Sequence, residues 1–134
     1  MWQFAISDGA LYHDDQPMGY GYSGHDEGKN NPAMVEVKCV GPLPPGLYTI
    51  GPARDHPHLG PCAMPLTPDP ANVMYGRAGF WIHADAWQHP GEASEGCIVL
   101  ANIKREAISQ SDDTSLHVVV DFTPTTPTPP EATP

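Results

Sequence analysis

A mainly β chain of short strands and tight turns, with one or two short helices, is what this sequence predicts. Three observations lead there. Seventeen prolines and thirteen glycines in 134 residues interrupt the chain too often for a helical bundle. The apolar runs between them are short and rich in β-branched and aromatic residues, as in Leu47-Tyr48-Thr49-Ile50. Only Ala101 to Gln110 reads convincingly as a helix, with Ile103, Ala107 and Ile108 on one face. The length predicts one domain, and 40% hydrophobic content supplies one modest core.

In chain order, Trp2 to Ile6 reads as a first strand. Ser7-Asp8-Gly9-Ala10 is a hairpin turn, because Asp-Gly tolerates positive φ, and Leu11 and Tyr12 begin the return strand. Asp14 to Asn31 is Gly-rich and polar. It reads as a surface loop with Tyr20 and Tyr22 against the core, or as the wall of a binding cleft. Pro32 suits a first helical position, so Ala33 to Val40 is a candidate short helix, although the alternation of Val35, Val37 and Cys39 argues equally for a strand. Gly41 to Gly46 is a proline-stiffened turn leading into the Leu47–Ile50 strand. Arg54 to Gly60 is a loop carrying His56 and His58. Cys62 to Leu66 is a short strand, placed at an edge because prolines bracket it, and Pro68 to Asn72 is a turn. Ala78 to His83 is apolar almost throughout and reads as a central strand. Leu116 to Phe122 is the last strand. The domain is therefore expected over 1–122, with a Pro/Thr-rich, extended and mobile tail over 123–134.

A net charge of −10 disfavours nucleic acid and anionic membranes as partners and suits a cationic one. No apolar run approaches the roughly 18 residues of a membrane span. The N-terminal stretch lacks the charged and apolar regions of a signal peptide, which predicts either a cytoplasmic protein or export without a cleaved signal. The three cysteines are Cys39, Cys62 and Cys97. An odd count leaves a thiol free, and Cys39 and Cys62 are a possible pair.

The chemistry concentrates between Phe80 and Leu100. His83 ends an apolar run, a polar loop follows, and Ser94-Glu95-Gly96-Cys97 closes it. Cys97 is the leading nucleophile candidate, since a thiolate is favoured by a nearby histidine or helix N-terminus, and the expected helix begins just after it. His83 is the candidate base, oriented by Asp85 or by a backbone carbonyl. Gly96 allows close backbone approach, the Gly96 and Cys97 amides are candidate oxyanion donors, and Ser94 fixes the loop or meets substrate. The alternative is that Cys97 is a buried small hydrophobe and His83 a satisfied core histidine. Zinc ligation by His83, Asp85 and His89, or by His56 and His58, does not follow a known spacing, so neither metal nor cofactor is expected.

Gly-Arg-Ala-Gly-Phe-Trp-Ile-His-Ala-Asp (76–85) followed by Ala-Ser-Glu-Gly-Cys-Ile-Val-Leu (93–100) resembles the L,D-transpeptidase catalytic motif. Gly-Pro-Leu-Pro-Pro-Gly-Leu-Tyr-Thr-Ile (41–50) is similar to that family's strand entry. With Gly-Tyr-Ser-Gly (21–24) and Lys-Asn-Asn-Pro (29–32), the chain resembles compact L,D-transpeptidase-like antibacterial effectors of type VI secretion from about Trp2 to Phe122. The resemblance implies an L,D-transpeptidase-like β-sandwich or open barrel. It implies a cysteine enzyme that cleaves the bond between meso-diaminopimelate and D-Ala in peptidoglycan stem tetrapeptides, or exchanges D-amino acids there. It gives Cys97 the nucleophile role and His83 the base role, with Ser94 and Gly96 in support. Its partners would be stem peptides and a cognate immunity protein, and its place of action the periplasm of a target bacterium. Two positions depart from the family pattern: Glu95 stands where a second His is usual, and Val99 where an Arg commonly follows. Arg77 is therefore expected to meet the substrate carboxylate, with Lys104 or Arg105 as weaker candidates, and Asp85 and Tyr22 as further substrate contacts. The rival readings are a papain-like amidase, whose Cys would open a long helix, and a non-enzymatic binding module.

Overall fold

The computed structural model describes residues 1–124; the expected tail, from 125 onward, lies outside the described residues. Ten strands and one helix follow in chain order. They are β1 (Trp2–Ala5), β2 (Ala10–His13), β3 (Gln16–Tyr20), β4 (Tyr22–Ser23), β5 (Gly46–Ile50), β6 (Arg54–His56), β7 (Gly60–Pro68), β8 (Trp81–His83), β9 (Ile98–Val99), α1 (Asn102–Gln110) and β10 (Ser115–Val119). The mainly β expectation holds, and the single α-helix is where periodicity places it.

The strand order is β3-β2-β1-β10-β5-β7-β8-β9-β4, with β6 added on β7. The two ends of this path, β3 and β4, are consecutive in the chain and separated by Gly21 alone. The path therefore returns nearly to its start and forms a nearly closed, barrel-like sheet, which leaves little free edge. Gly21 is needed at that corner because a Cβ there would overlap the Val99 carbonyl oxygen and the Leu100 side chain. The β1–β2 hairpin turns as expected, with Gly9 at φ 73° and the Ala10 amide donating to Asp8 Oδ1. β1 is buried along its whole length because it pairs with β2 on one side and, in parallel, with β10 on the other. Trp2, Phe4, Leu11, Leu43, Met64, Ile82, Ile98, Leu100 and Leu116 form the centre of one core.

Several elements differ from the sequence expectation. The polar 14–31 stretch contributes β3 and β4, because pairing partners remote in sequence supply what its composition lacks. The 33–40 helix reduces to a 3₁₀ turn over Pro32–Met34, capped by Asn31. β6 falls inside the expected 54–60 loop. β7 is long and interior, not a short edge strand. Its prolines are tolerated because their carbonyls still accept: Pro65 from the Gly51 amide and Pro61 from Arg105. The strand expected from Ala78 starts only at Trp81. On α1 the inward stripe is Arg105 and Ile108, whereas Ile103 is 70% exposed. The Arg105 guanidinium is drawn inward by the Leu100 and Pro61 carbonyls and by Asn102 Oδ1.

Candidate active site

β8 and β9 are short parallel neighbours in the register Ile82↔Ile98 and His83↔Val99. Alternation along a strand sends Ile82 and Ile98 into the core. It sends Trp81, His83 and, one residue before β9, Cys97 to the opposite face. His83 and Cys97 thus line one cleft of about 590 Å³. Cys97 is half-buried, and its Sγ accepts from the Trp81 amide at 3.3 Å.

The turn that presents Cys97 is held by buried serines on both sides. Ser94 Oγ donates to the Cys97 carbonyl at 2.5 Å and accepts from the Gly96 and Gly24 amides at 3.1 and 2.9 Å. Ser23 Oγ donates to the Gly96 carbonyl at 2.9 Å and accepts from the Leu43 amide at 2.8 Å. Both serines are fully buried. The Gly96 amide is therefore taken up inside the turn, so of the two expected oxyanion donors it is not the available one.

His83 is 3% exposed, with Nδ1 2.7 Å from the Ala84 carbonyl oxygen. A carbonyl oxygen only accepts, so Nδ1 carries the proton and Nε2 keeps its lone pair. Of the two expected orienting groups, the carbonyl serves and Asp85 does not. A second imidazole in the cleft has the opposite tautomer. His56 Nδ1 accepts from the backbone amides of His58 and Leu59 at 3.0 and 3.1 Å, so its proton sits on Nε2. The two rings are tied together through the backbone, because the Ala84 amide donates to the Leu59 carbonyl at 3.3 Å. His56 also packs edge-on against the Trp81 ring, 5.1 Å between centroids.

Burial dominates the electrostatics. It pushes the Cys97 thiol above its ordinary value, and the Glu95 charge adds to this, while the Trp81 amide and Arg77 oppose it. Burial holds the His83 imidazole below its ordinary value; the Ala84 hydrogen bond opposes this and Arg105 reinforces it. At rest the thiol and the imidazole that line the cleft are therefore both neutral. The expected lowering of the thiol by a helix N-terminus is not found, because β9 intervenes and α1 starts at Asn102. For the same reason, Cys97 does not open a long helix as the papain-like reading requires.

The other anticipated residues divide clearly. Arg77 lines the cleft, but its guanidinium is a clamp: Nη1 donates to the Val35 and Pro42 carbonyls at 2.6 and 2.8 Å, and Nη2 to those of Gly41 and Glu95 at 2.9 and 3.1 Å. It ties the 35–42 segment to the turn before Cys97. Tyr22 donates to Asp85 Oδ1 at 2.6 Å and accepts from the Ala93 amide at 2.9 Å, and Asp85 also accepts from the Ala86 and Gly91 amides. Burial and the Asp85 hydrogen bond push the Tyr22 hydroxyl pKa up, so it stays a donor. This pair shapes the 85–93 loop from outside the cleft lining. Lys104, beside Gly19, and the buried Arg105 are also outside it. Cys39 and Cys62 are both free thiols, Cys39 exposed. His83, Asp85 and His89 do not converge as a metal-ligating group. Among the described residues the one such triple is His13, Asp14 and Asp113, and the Met1 amine lies against both of its carboxylates. Sequence reasoning did not name Ser23 and raised His56 only as a zinc ligand without a known spacing; for Ser23 the signal was the Gly-Tyr-Ser-Gly segment itself.

A family model, the Tlde1 domain, matches residues 18–121, a span that contains Ser23, His56, His83 and Cys97. No curated protein and no solved structure matches the chain.

Proposed function

The chain belongs to the Tlde1 family, a family of type VI secretion effectors, and from that premise we propose that it is a cysteine L,D-carboxypeptidase of peptidoglycan stem tetrapeptides acting in the periplasm of a target bacterium. The observation that carries the reading is that His83 and Cys97 line one and the same cleft from neighbouring strands. Nδ1–H is given to the Ala84 carbonyl, which leaves Nε2 as the basic atom.

In this mechanism His83 Nε2 takes the proton from Cys97 Sγ as the sulfur attacks the carbonyl of the third residue, meso-diaminopimelate, at its bond to D-Ala. The carbonyl oxygen becomes an oxyanion and takes the Cys97 amide as donor. The C–N bond then breaks, His83 returns the proton to the departing amine, and D-Ala leaves a thioester on Cys97. Water, deprotonated by His83, resolves the thioester to a tripeptide carboxylate and restores the thiol. A D-amino acid in place of water gives exchange. A neutral resting pair suits this sequence, because proton transfer accompanies attack and no standing thiolate is needed.

The experiment is mass spectrometry of disaccharide tetrapeptide incubated with purified protein. Loss of one D-Ala is expected with the wild type and not with a folded Cys97→Ala variant. Equal turnover by that variant would exclude Cys97 as nucleophile.

A further inference from the structure

A tetrapeptide substrate ends in a carboxylate one residue beyond the scissile bond, and a donor in the cleft has to meet it. Arg77 gives both terminal nitrogens to four main-chain carbonyls, and Arg105 and Lys104 lie outside the cleft. His56 lines the cleft with the required donor. Two backbone amides occupy its Nδ1, which places its proton on Nε2, and among the described residues no group accepts from that nitrogen. His56 is also on the correct side. The Leu59–Ala84 backbone link sets it beside His83, and His83 is the group that hands a proton to the leaving amine. The carboxylate of the leaving amino acid is one carbon further on.

Resting on the reading of Cys97 and His83 given above, we propose that His56 is the substrate-binding residue for the leaving group, its Nε2–H donating to the α-carboxylate of the C-terminal amino acid. This would make the enzyme selective for stems that end one residue after the scissile bond and carry a free carboxylate. His25 also lines the cleft, but its Nε2 lies 3.4 Å from Asp26 Oδ2; Lys38, on the 35–42 segment that Arg77 clamps, serves as the competing candidate.

Two small alkylating agents separate carboxylate binding from thiol reactivity. Iodoacetate and iodoacetamide both alkylate Sγ, and only the first carries the anion. Rates are read at the Cys97 peptide by mass spectrometry in the wild type, His56→Ala, His56→Gln and Lys38→Ala. One charge-assisted hydrogen bond corresponds to about tenfold or more. His56→Ala is therefore expected to slow iodoacetate by about that factor relative to iodoacetamide, with His56→Gln, which keeps a donor, falling between. Turnover of the tetrapeptide should fall through KM, and the fall should be smaller for a C-terminally amidated tetrapeptide, whose neutral carbonyl accepts the same hydrogen bond without charge assistance. An unchanged iodoacetate-to-iodoacetamide ratio in both His56 variants, equal slowing of both reagents, or a loss of preference confined to Lys38→Ala would each overturn the assignment. A falling ratio without peptide turnover in the wild type would leave the carboxylate contact standing and refute the reaction instead.

Discussion

Replacing Ser23 by Ala tests whether the Cys97 turn is held by a residue far from it in sequence. Ser23 is fully buried and makes two hydrogen bonds, donating to the Gly96 carbonyl and accepting from the Leu43 amide. Alanine fits the space but leaves both main-chain groups unpaired. A buried group left unsatisfied costs about 1–3 kcal/mol. Two such groups, with some relaxation, give an expected loss of about 2–4 kcal/mol, a large part of a typical stability of about 5–15 kcal/mol. With a urea slope of about 1–3 kcal/mol/M, the unfolding midpoint should fall by roughly 1–2 M at unchanged slope. The substitution should also be felt at the thiol. A peptide unit is planar and trans, so its carbonyl and N–H point in opposite directions. Anchoring the Gly96 oxygen therefore fixes the direction of the Cys97 N–H, the proposed oxyanion donor. Turnover should fall about 10²-fold in conditions where the variant is fully folded, the scale of losing one such donor. A variant with wild-type urea midpoint and wild-type turnover would refute the argument that this bond holds the turn.

Three further outcomes follow from the same geometry. His83→Ala should cost about 10²-fold or more in turnover; in the wild type, activity should rise with pH through a midpoint below 6.5, because the imidazole must be unprotonated and burial lowers its pKa. A rate-versus-pH series with its acid limb at or above 6.5 would contradict this. Gly96→Ala should destabilise and inactivate together, since φ is 126° and a Cβ there would stand 2.5 Å from Arg77 Nη2 and 2.6 Å from Phe80 Cε1. The strain is of order 1–3 kcal/mol, and an unchanged thermal midpoint would count against it.

What was legible in the sequence was local. Turn chemistry and apolar runs placed β1, the β1–β2 hairpin, β5, α1 and β10 close to where they lie. The motif around Ser94, Gly96 and Cys97 marked the turn, and the apolar run ending at His83 marked the strand beside it. Where the partner was remote, local pattern failed. β3 and β4 are polar segments that become strands only because β2 and β9 are there to pair with them. Arg77 has the residue type of a carboxylate receptor, yet the carbonyl of Val35, 42 positions away, and three others take up its donors. Ser23 meets Gly96 across 73 positions.

The sequence by itself determined the fold class and marked Cys97 and His83 as the candidate thiol and imidazole, because each reading depends on residues within a few positions of one another. The tertiary structure decided which tautomers His83 and His56 carry, that the Gly96 amide is taken up inside the turn, and that burial raises the thiol and lowers the imidazole. Hydrogen-bond partners and desolvation are properties of what surrounds a group in space, and in a barrel-like sheet most of those surroundings come from distant parts of the chain.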